Sequence, residues 1–223
     1  MSVRNIIFNS GEFYHLYNRG NSKQIIFHDK EDMDRLLQLL CIANKTKRFV
    51  LKEVTDSVYI NKKDSPIIAI GAYCLMPNHF HILATPLVKG GISTFMQKLS
   101  TAYAMYYNKK YKRSGSLFEG KFKSSHVNND NYLKYLFSYI HLNPIKLIDS
   151  TWKEKGLKNI SKTKDYLRNY HYSSYLDFIN GFNDKRDESV IIDPLLFPKY
   201  FPNSKSFEKE IIAWLSLKPD NEK

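Results

Sequence analysis

Much is missing from this sequence, and each absence narrows its class. There are two cysteines, Cys41 and Cys74, both in apolar surroundings and without CxxC spacing. That usage reads as buried thiols in a reducing cytosol rather than a disulfide. No apolar run approaches the roughly 18 to 20 residues needed to cross a bilayer. The N-terminal "MSVRNIIFNSGEF" has three adjacent apolar residues and no small-residue cleavage site. Neither signal peptide nor anchor is therefore expected, and the expected location is cytoplasmic. Repeats and low-complexity tracts are absent too. Acid is scarce: 22 Asp and Glu face 34 Lys and Arg, a formal charge of +12 and a pI near 9.5. Such a surplus attracts polyanions, nucleic acid first and an acidic membrane surface second. What is present is a folding composition, 43% hydrophobic and 14% aromatic over 223 residues. That is enough for one substantial core with an appendage, or for two small domains.

The pattern along the chain predicts an α+β domain over about residues 11 to 149. "EFYHLYNRG" alternates as a strand and ends in a turn at Gly20-Asn21. Asp29 suits the cap of a helix whose face is Met33, Leu36, Leu37 and Leu40. The lysine-rich stretch 46–65 reads as a hairpin or a mobile insertion. "PIIAIGAYCLMP" and "NHFHILATP" read as two strands joined by a tight turn at Pro77-Asn78. Ser93 is the expected cap of a second helix carrying Phe95, Met96, Leu99, Ala102, Tyr103 and Tyr106. Residues 117–127 look like a loop or short hairpin. A third helix is expected from Asn128–Asp130 until Pro144 stops it. Beyond Asp149 the chain is more polar, with the amphipathic "SFEKEIIAWLSL" predicting a late helix.

Three groups could carry chemistry. His79 and His81 are two apart on a strand, so their imidazoles share a face while Phe80 turns to the other. Two neutral imidazoles on rigid backbone need only a third group to hold Mg²⁺, Mn²⁺ or Zn²⁺; the plain alternative is a structural or merely exposed pair. Tyr139 and Asn143 lie one helical turn apart. A tyrosine beside a divalent ion can attack a phosphodiester, with the Asn143 amide oxygen completing the coordination. The other reading packs Tyr139 in the core and makes Asn143 a helix cap. Third, Lys98, Lys109, Lys110, Lys112, Arg113, Lys121 and Lys123 are threaded among Tyr103, Tyr106, Tyr107, Tyr111, Phe118 and Phe122. Cations for the backbone and rings for exposed bases suit single-stranded nucleic acid, against the alternative of a solvated basic surface. His126 and His141 are spare polar groups, His141 a weaker candidate ligand because i+2 on a helix faces elsewhere, and His15 on the first strand could approach the site as a base or a DNA contact without the sequence placing it there.

Together, "EFYHLYNRGNSKQIIF", "AYCLMPNHFHILATP", "GSLFEGKFKS" and "YLKYLFSYIHLNPIKLI" resemble the IS200-like transposase family, and within it the branch associated with repetitive extragenic palindromes. The resemblance covers about three fifths of the chain. It implies a single-tyrosine HUH nuclease on a ferredoxin-like antiparallel sheet, in a catalytic domain over 1–149 with a C-terminal extension over 150–223. It implies Tyr139 as nucleophile and His79, His81 and Asn143 as ligands of Mg²⁺ or Mn²⁺; the basic cluster itself makes Lys109, Lys110, Lys112, Arg113, Lys121 and Lys123 the expected DNA contacts. The implied reaction cuts single-stranded DNA at hairpin-flanked ends through a 5′-phosphotyrosine intermediate and rejoins it. The implied assembly is a homodimer, in which Tyr139 can serve the partner's histidines. Two alternatives stand beside it: a domesticated hairpin-binding or hairpin-processing protein that moves no element, and a non-catalytic nucleic-acid-binding protein.

Overall fold

Phe13–Arg19 is the first strand, β1, whose Tyr14, His15 and Leu16 are all buried because both of its faces are covered. A computed structural model describes residues 7–59, 65–157, 159–182 and 186–216. The first six residues, positions 60–64 of the lysine-rich stretch and positions 217–223 of the extension lie outside it. Helix α1, Lys30–Ala43, starts where the Asp29 carboxylate accepts from the Asp32 amide. Strands β2, Ile68–Met76, and β3, His79–Pro86, form the hairpin across Pro77-Asn78. Helix α2, Gly91–Lys110, begins after Gly90, whose φ of 75° a glycine adopts without strain. Ser93 therefore stands inside the helix and does not cap it.

Residues 117–127 are a loop only as far as 122. They end in β4, Lys123–Val127, which pairs antiparallel with β1. Its "KSSHV" is too polar to announce a strand, because it forms a sheet edge rather than a core position. The sheet order is β2-β3-β1-β4, all antiparallel. With α1 and α2 as the crossovers, this is the ferredoxin-like βαββαβ arrangement expected from the sequence. The stretch 46–59 is no hairpin either. It makes two 3₁₀ turns, Leu51–Glu53 and Asp56–Tyr59, and its Val54, Val58 and Tyr59 are buried.

The two faces of the sheet are covered differently. On one, Phe80 meets Phe118, which meets Tyr103 of α2. On the other, His81 meets Tyr139 of helix α3, Asp130–Leu142, capped by Asn129. Pro144 does not stop the chain's helical course. It occupies the first turn of a 3₁₀ segment, Asn143–Leu147, where a missing N–H costs nothing. Asn143 keeps helical dihedrals and so stays in line with α3.

The extension adds short helices α4, Trp152–Lys155, α5, Ile160–Arg168, and α6, Tyr175–Ile179, then α7, Ser204–Ser216. It covers the outer edge of β2: the Leu75 amide donates to the Tyr172 carbonyl at 2.9 Å, and the Ser174 amide to Tyr73 at 3.1 Å. At the bulge in β2, a Cβ on Gly71 would lie 2.7 Å from the Phe197 ring, so only glycine admits that ring. No helix among the described residues is long and apolar enough to cross a membrane.

Candidate active site

Strand register assembles the site. Lys123, Tyr17, His81 and Cys74 lie side by side across β4, β1, β3 and β2, and Ser125, His15 and Leu83 form the next row. Directly opposed residues share a face. His15, Tyr17, His79 and His81 therefore project together towards α3, while Phe80 is buried on the other side. The His79 and His81 rings are 4.9 Å apart and nearly perpendicular. Two imidazoles on one ion, with metal–nitrogen bonds of about 2.1 Å, place their centroids roughly 4.5 to 5 Å apart. The pair is spaced for a shared ion.

Each imidazole is also held from behind. His79 Nδ1 lies 2.6 Å from the Asn78 side-chain oxygen, and His81 Nδ1 lies 2.8 Å from His15 Nε2. Both leave Nε2 as the free nitrogen. Burial lowers the His79 pKa to about 4, helped by Lys146 and Arg19. Burial also holds His81 well below its ordinary value, with His15, His79 and Lys146 adding to the effect. Both rings are thus neutral at pH 7, which is the ligating form.

The Tyr139 ring lies 5.4 Å from His81 and 5.9 Å from His15, edge-on to each, and all three belong to one chain. Burial raises the Tyr139 pKa, partly opposed by the Asn143 amide. Asn143 is buried, and its Nδ2 donates to the Tyr139 carbonyl at 2.8 Å. That bond orients the amide and leaves Asn143 Oδ1 buried with no hydrogen-bond partner. An orphaned buried carbonyl costs about 1–3 kcal/mol, and a cation is a partner that would satisfy it. Among the described residues no three His, Cys, Asp or Glu side chains are grouped to hold a metal. The Asn143 amide oxygen is a donor of the kind that could stand as a third ligand beside two neutral imidazoles, a set that suits a divalent cation.

Two residues that the sequence did not assign also belong here. His15 contacts both a candidate ligand and the candidate nucleophile. Lys153 Nζ stands 4.6 Å over the Tyr139 ring. Burial and Lys146 lower the Lys153 pKa. Strand register, invisible in sequence, brings in the first, and the fold of the extension brings in the second.

The expected DNA contacts scatter. Lys109, Lys112, Lys121 and Lys123 are exposed, and Lys123 shares the α3 face with Tyr17 while lying 3.9 Å from Glu119. Arg113 bonds Gln24 at 3.1 Å and lies over the Tyr107 ring. Lys110 corrects the expectation outright. It is bound to Asp29, Glu31 and Asp32 at 2.8 to 3.0 Å, so its charge is spent inside the protein. Half of the six rings of that segment are also internal: Tyr103, Tyr107 and Phe118 are buried. His126 binds Glu12, and His141 is buried against Ser174 Oγ at 2.7 Å, away from the site.

The family model described as "Transposase IS200 like" matches residues 12–143, from β1 to Asn143. The chain belongs to the IS200-like transposases. Among solved structures, a REP-associated tyrosine transposase bound to a REP hairpin has the same fold as this IS200-like chain. The TM-score is 0.51 over 81% of this chain and 86% of that one, at 12% identity. No curated protein matches.

Proposed function

We propose that this IS200-like transposase is a single-tyrosine, metal-dependent strand transferase of the branch associated with repetitive extragenic palindromes, acting on single-stranded DNA next to hairpins. The observation that carries the reading is Tyr139 edge-on to His81, in the same chain and one turn from an Asn143 oxygen that lacks a partner. The hairpin preference is supported by the structurally similar transposase bound to a REP hairpin.

His79, His81 and Asn143 would hold the cation. When bound, it supplies positive charge to the non-bridging oxygens of the scissile phosphate. The chain's own residues do the rest. Tyr139 attacks phosphorus through its hydroxyl oxygen, the bond to the 3′ oxygen breaks, and the phenolic proton ends on the released 3′-hydroxyl. The product is a 5′-phosphotyrosine, which keeps the bond energy so that another 3′-hydroxyl can reverse the step. Lys153, above the ring, favours the phenolate as it develops. Lys146 and Lys153 add positive potential that attracts the DNA and keeps the imidazoles unprotonated. On this reading the nucleophile acts beside histidines of its own chain.

The direct test is incubation with labelled hairpin-bearing single strands and Mn²⁺. A covalent adduct should form with wild type and vanish in Tyr139→Phe, a loss of at least ~10³-fold for removal of a nucleophile. An undiminished adduct in Tyr139→Phe, or none with wild type across the native flanking ends, would overturn the proposal.

A further inference from the structure

Helix α3 carries two stripes. Leu133, Leu136, Phe137 and Ile140 are buried and satisfy its need for a core face. The second stripe, Tyr132, Tyr135 and Tyr139, is half-buried and aromatic, where a helix with its core face already filled would ordinarily present charged residues. The Tyr132 and Tyr135 rings stack at 6.3 Å and 22°, and Tyr135 and Tyr139 follow at 6.0 Å and 38°. Tyr17 on β1 closes the row from below, 5.9 Å from His81 and 4.9 Å from His15. Its hydroxyl influences those of both Tyr132 and Tyr139. An aromatic track thus runs without a break from the candidate nucleophile to the N-terminal half of α3. Lys123 stands beside Tyr17 on the next strand, and Lys153 covers the far end.

We infer that this track is a binding site for unpaired nucleobases adjoining the scissile phosphate, with Tyr132 and Tyr135 as its stacking platforms. The inference rests on the proposed strand-transferase reading and deepens it. It says where the single strand runs and why the strand must be single. Ring faces accept any base, because every base has a π-face, so such a track reads the unpaired state and not the sequence. A base seated between two rings needs about 6.8 Å, twice the 3.4 Å stacking separation of DNA. A paired base offers no free face, so a duplex cannot use the track. The lysines at the two ends suit the phosphates of the same strand. In the segment 98–123, which the sequence marked for stacking, Tyr103, Tyr107 and Phe118 are enclosed and the Tyr106 and Tyr111 hydroxyls are tied to Asp32.

The test uses the full chain without metal, so that binding is separated from cleavage. The probes are a fluorescein-labelled DNA hairpin with a blunt end and the same hairpin with a tail of about eight thymidines, within the usual site size, on either the 5′ or the 3′ side. Wild type should bind one tailed hairpin more tightly than the blunt one. Tyr132→Leu and Tyr135→Leu should each cut that advantage by about tenfold and leave blunt-hairpin affinity unchanged, while Tyr135→Phe keeps the ring and the advantage. Abasic sites in the tail should reproduce the loss in wild type and add nothing in the double leucine variant. A tail advantage unaltered by the leucine variants, or an equal loss on tailed and blunt hairpins, overturns the inference. Adduct formation, scored separately with Mn²⁺, tests the strand-transferase reading, so the two can fail independently.

Discussion

Helices α2 and α3 each present a row of tyrosines to opposite faces of one sheet, and the two rows do opposite things. On α2, the hydroxyls are bound. Tyr103 donates to the Ile26 carbonyl at 2.5 Å, and Tyr106 and Tyr111 donate to Asp32 at 3.0 and 2.7 Å. Asp32 is fully enclosed, and burial alone would raise its pKa. Lys110, Tyr111, the His28 amide and Tyr106 outweigh that and hold it low. On α3, Tyr139 faces neutral imidazoles, and no carboxylate is among the causes that shift the Tyr132 or Tyr139 hydroxyls. An aromatic helical stripe next to a buried carboxylate fastens a structure; on the reading proposed above, the one that ends beside the histidines meets a substrate.

The largest effect should come from breaking the fastened side. Asp32→Ala leaves Lys110 with weaker, more exposed partners and strips Tyr106, Tyr111 and the His28 amide of their acceptor. Urea unfolding should register a loss of about 3–5 kcal/mol, as for removal of one partner of a buried ion pair. A loss under about 1 kcal/mol would mean that the network is ornamental to stability. Tyr139→Phe on the other side should leave stability within about 0.5 kcal/mol.

Acid should act on the other side first. Burial lowers the pKa of His15 and His79 to about 4 and of His141 to about 3. Their folded values lie below the unfolded value of about 6.5, so the unfolded chain binds protons first. The stability that neutral histidines contribute is complete above pH ~6.5 and is lost as pH falls towards 4, by up to about 1.4 kcal/mol per pH unit for each. Asp32, with its pKa lowered, does not begin to lose its contribution until near pH 4. Urea stability of metal-free protein measured from pH 7 to 4.5 should therefore fall, and His141→Phe should flatten the slope. A flat profile in wild type would show that these rings stay hydrated.

A subtler contrast lies in what stands behind the histidines. If His81 ligates through Nε2, its Nδ1 must carry the hydrogen and donate it to His15 Nε2. Long-range ¹⁵N spectra of the metal-free protein should show that tautomer. His15→Ala and Asn143→Ala should each weaken Mn²⁺ binding by about 10- to 100-fold, the usual range for groups that orient or complete a site. His15→Gln, which offers an acceptor of similar reach, should recover part of it. Wild-type Mn²⁺ affinity in both alanine variants would remove His15 and Asn143 from the site.

How far this was legible in the sequence follows from the range of each interaction. The first strand, the β2–β3 hairpin and the three long helices announce themselves because periodicity and caps are local. Asp29 sits three residues before the amide that it caps, and His79 and His81 share a face by strand geometry alone. Strand β4 was hidden because "KSSHV" pairs at an edge and buries little. Ser93 misled because a glycine at φ 75° starts α2 three residues earlier. The fate of Lys110 could not be read, since Asp29, Glu31 and Asp32 lie about eighty positions away. His15 and Lys153 enter the site by register and by the path of the extension, and neither leaves a local signal.

The smallest effect sharpens the comparison most. Tyr103 and Tyr135 are both helical tyrosines, but Tyr103 falls at helical spacing with Phe95, Met96 and Leu99 while Tyr135 lies off the apolar face of its helix. Tyr103 is wholly enclosed with its hydroxyl bonded, so Tyr103→Leu loses ring volume and leaves the Ile26 carbonyl short of a partner. The cost should be several times larger than for Tyr135→Leu, which shortens a half-buried ring on a helix whose core stripe is intact. Leucine also has slightly better helix propensity than tyrosine. Urea midpoints should place Tyr135→Leu within about 0.5 kcal/mol of wild type. A loss above about 1.5 kcal/mol would make the α3 tyrosines core residues like those of α2. A near-zero cost means that those rings do little for folding, and their place along the approach to Tyr139 is then explained by what they bind.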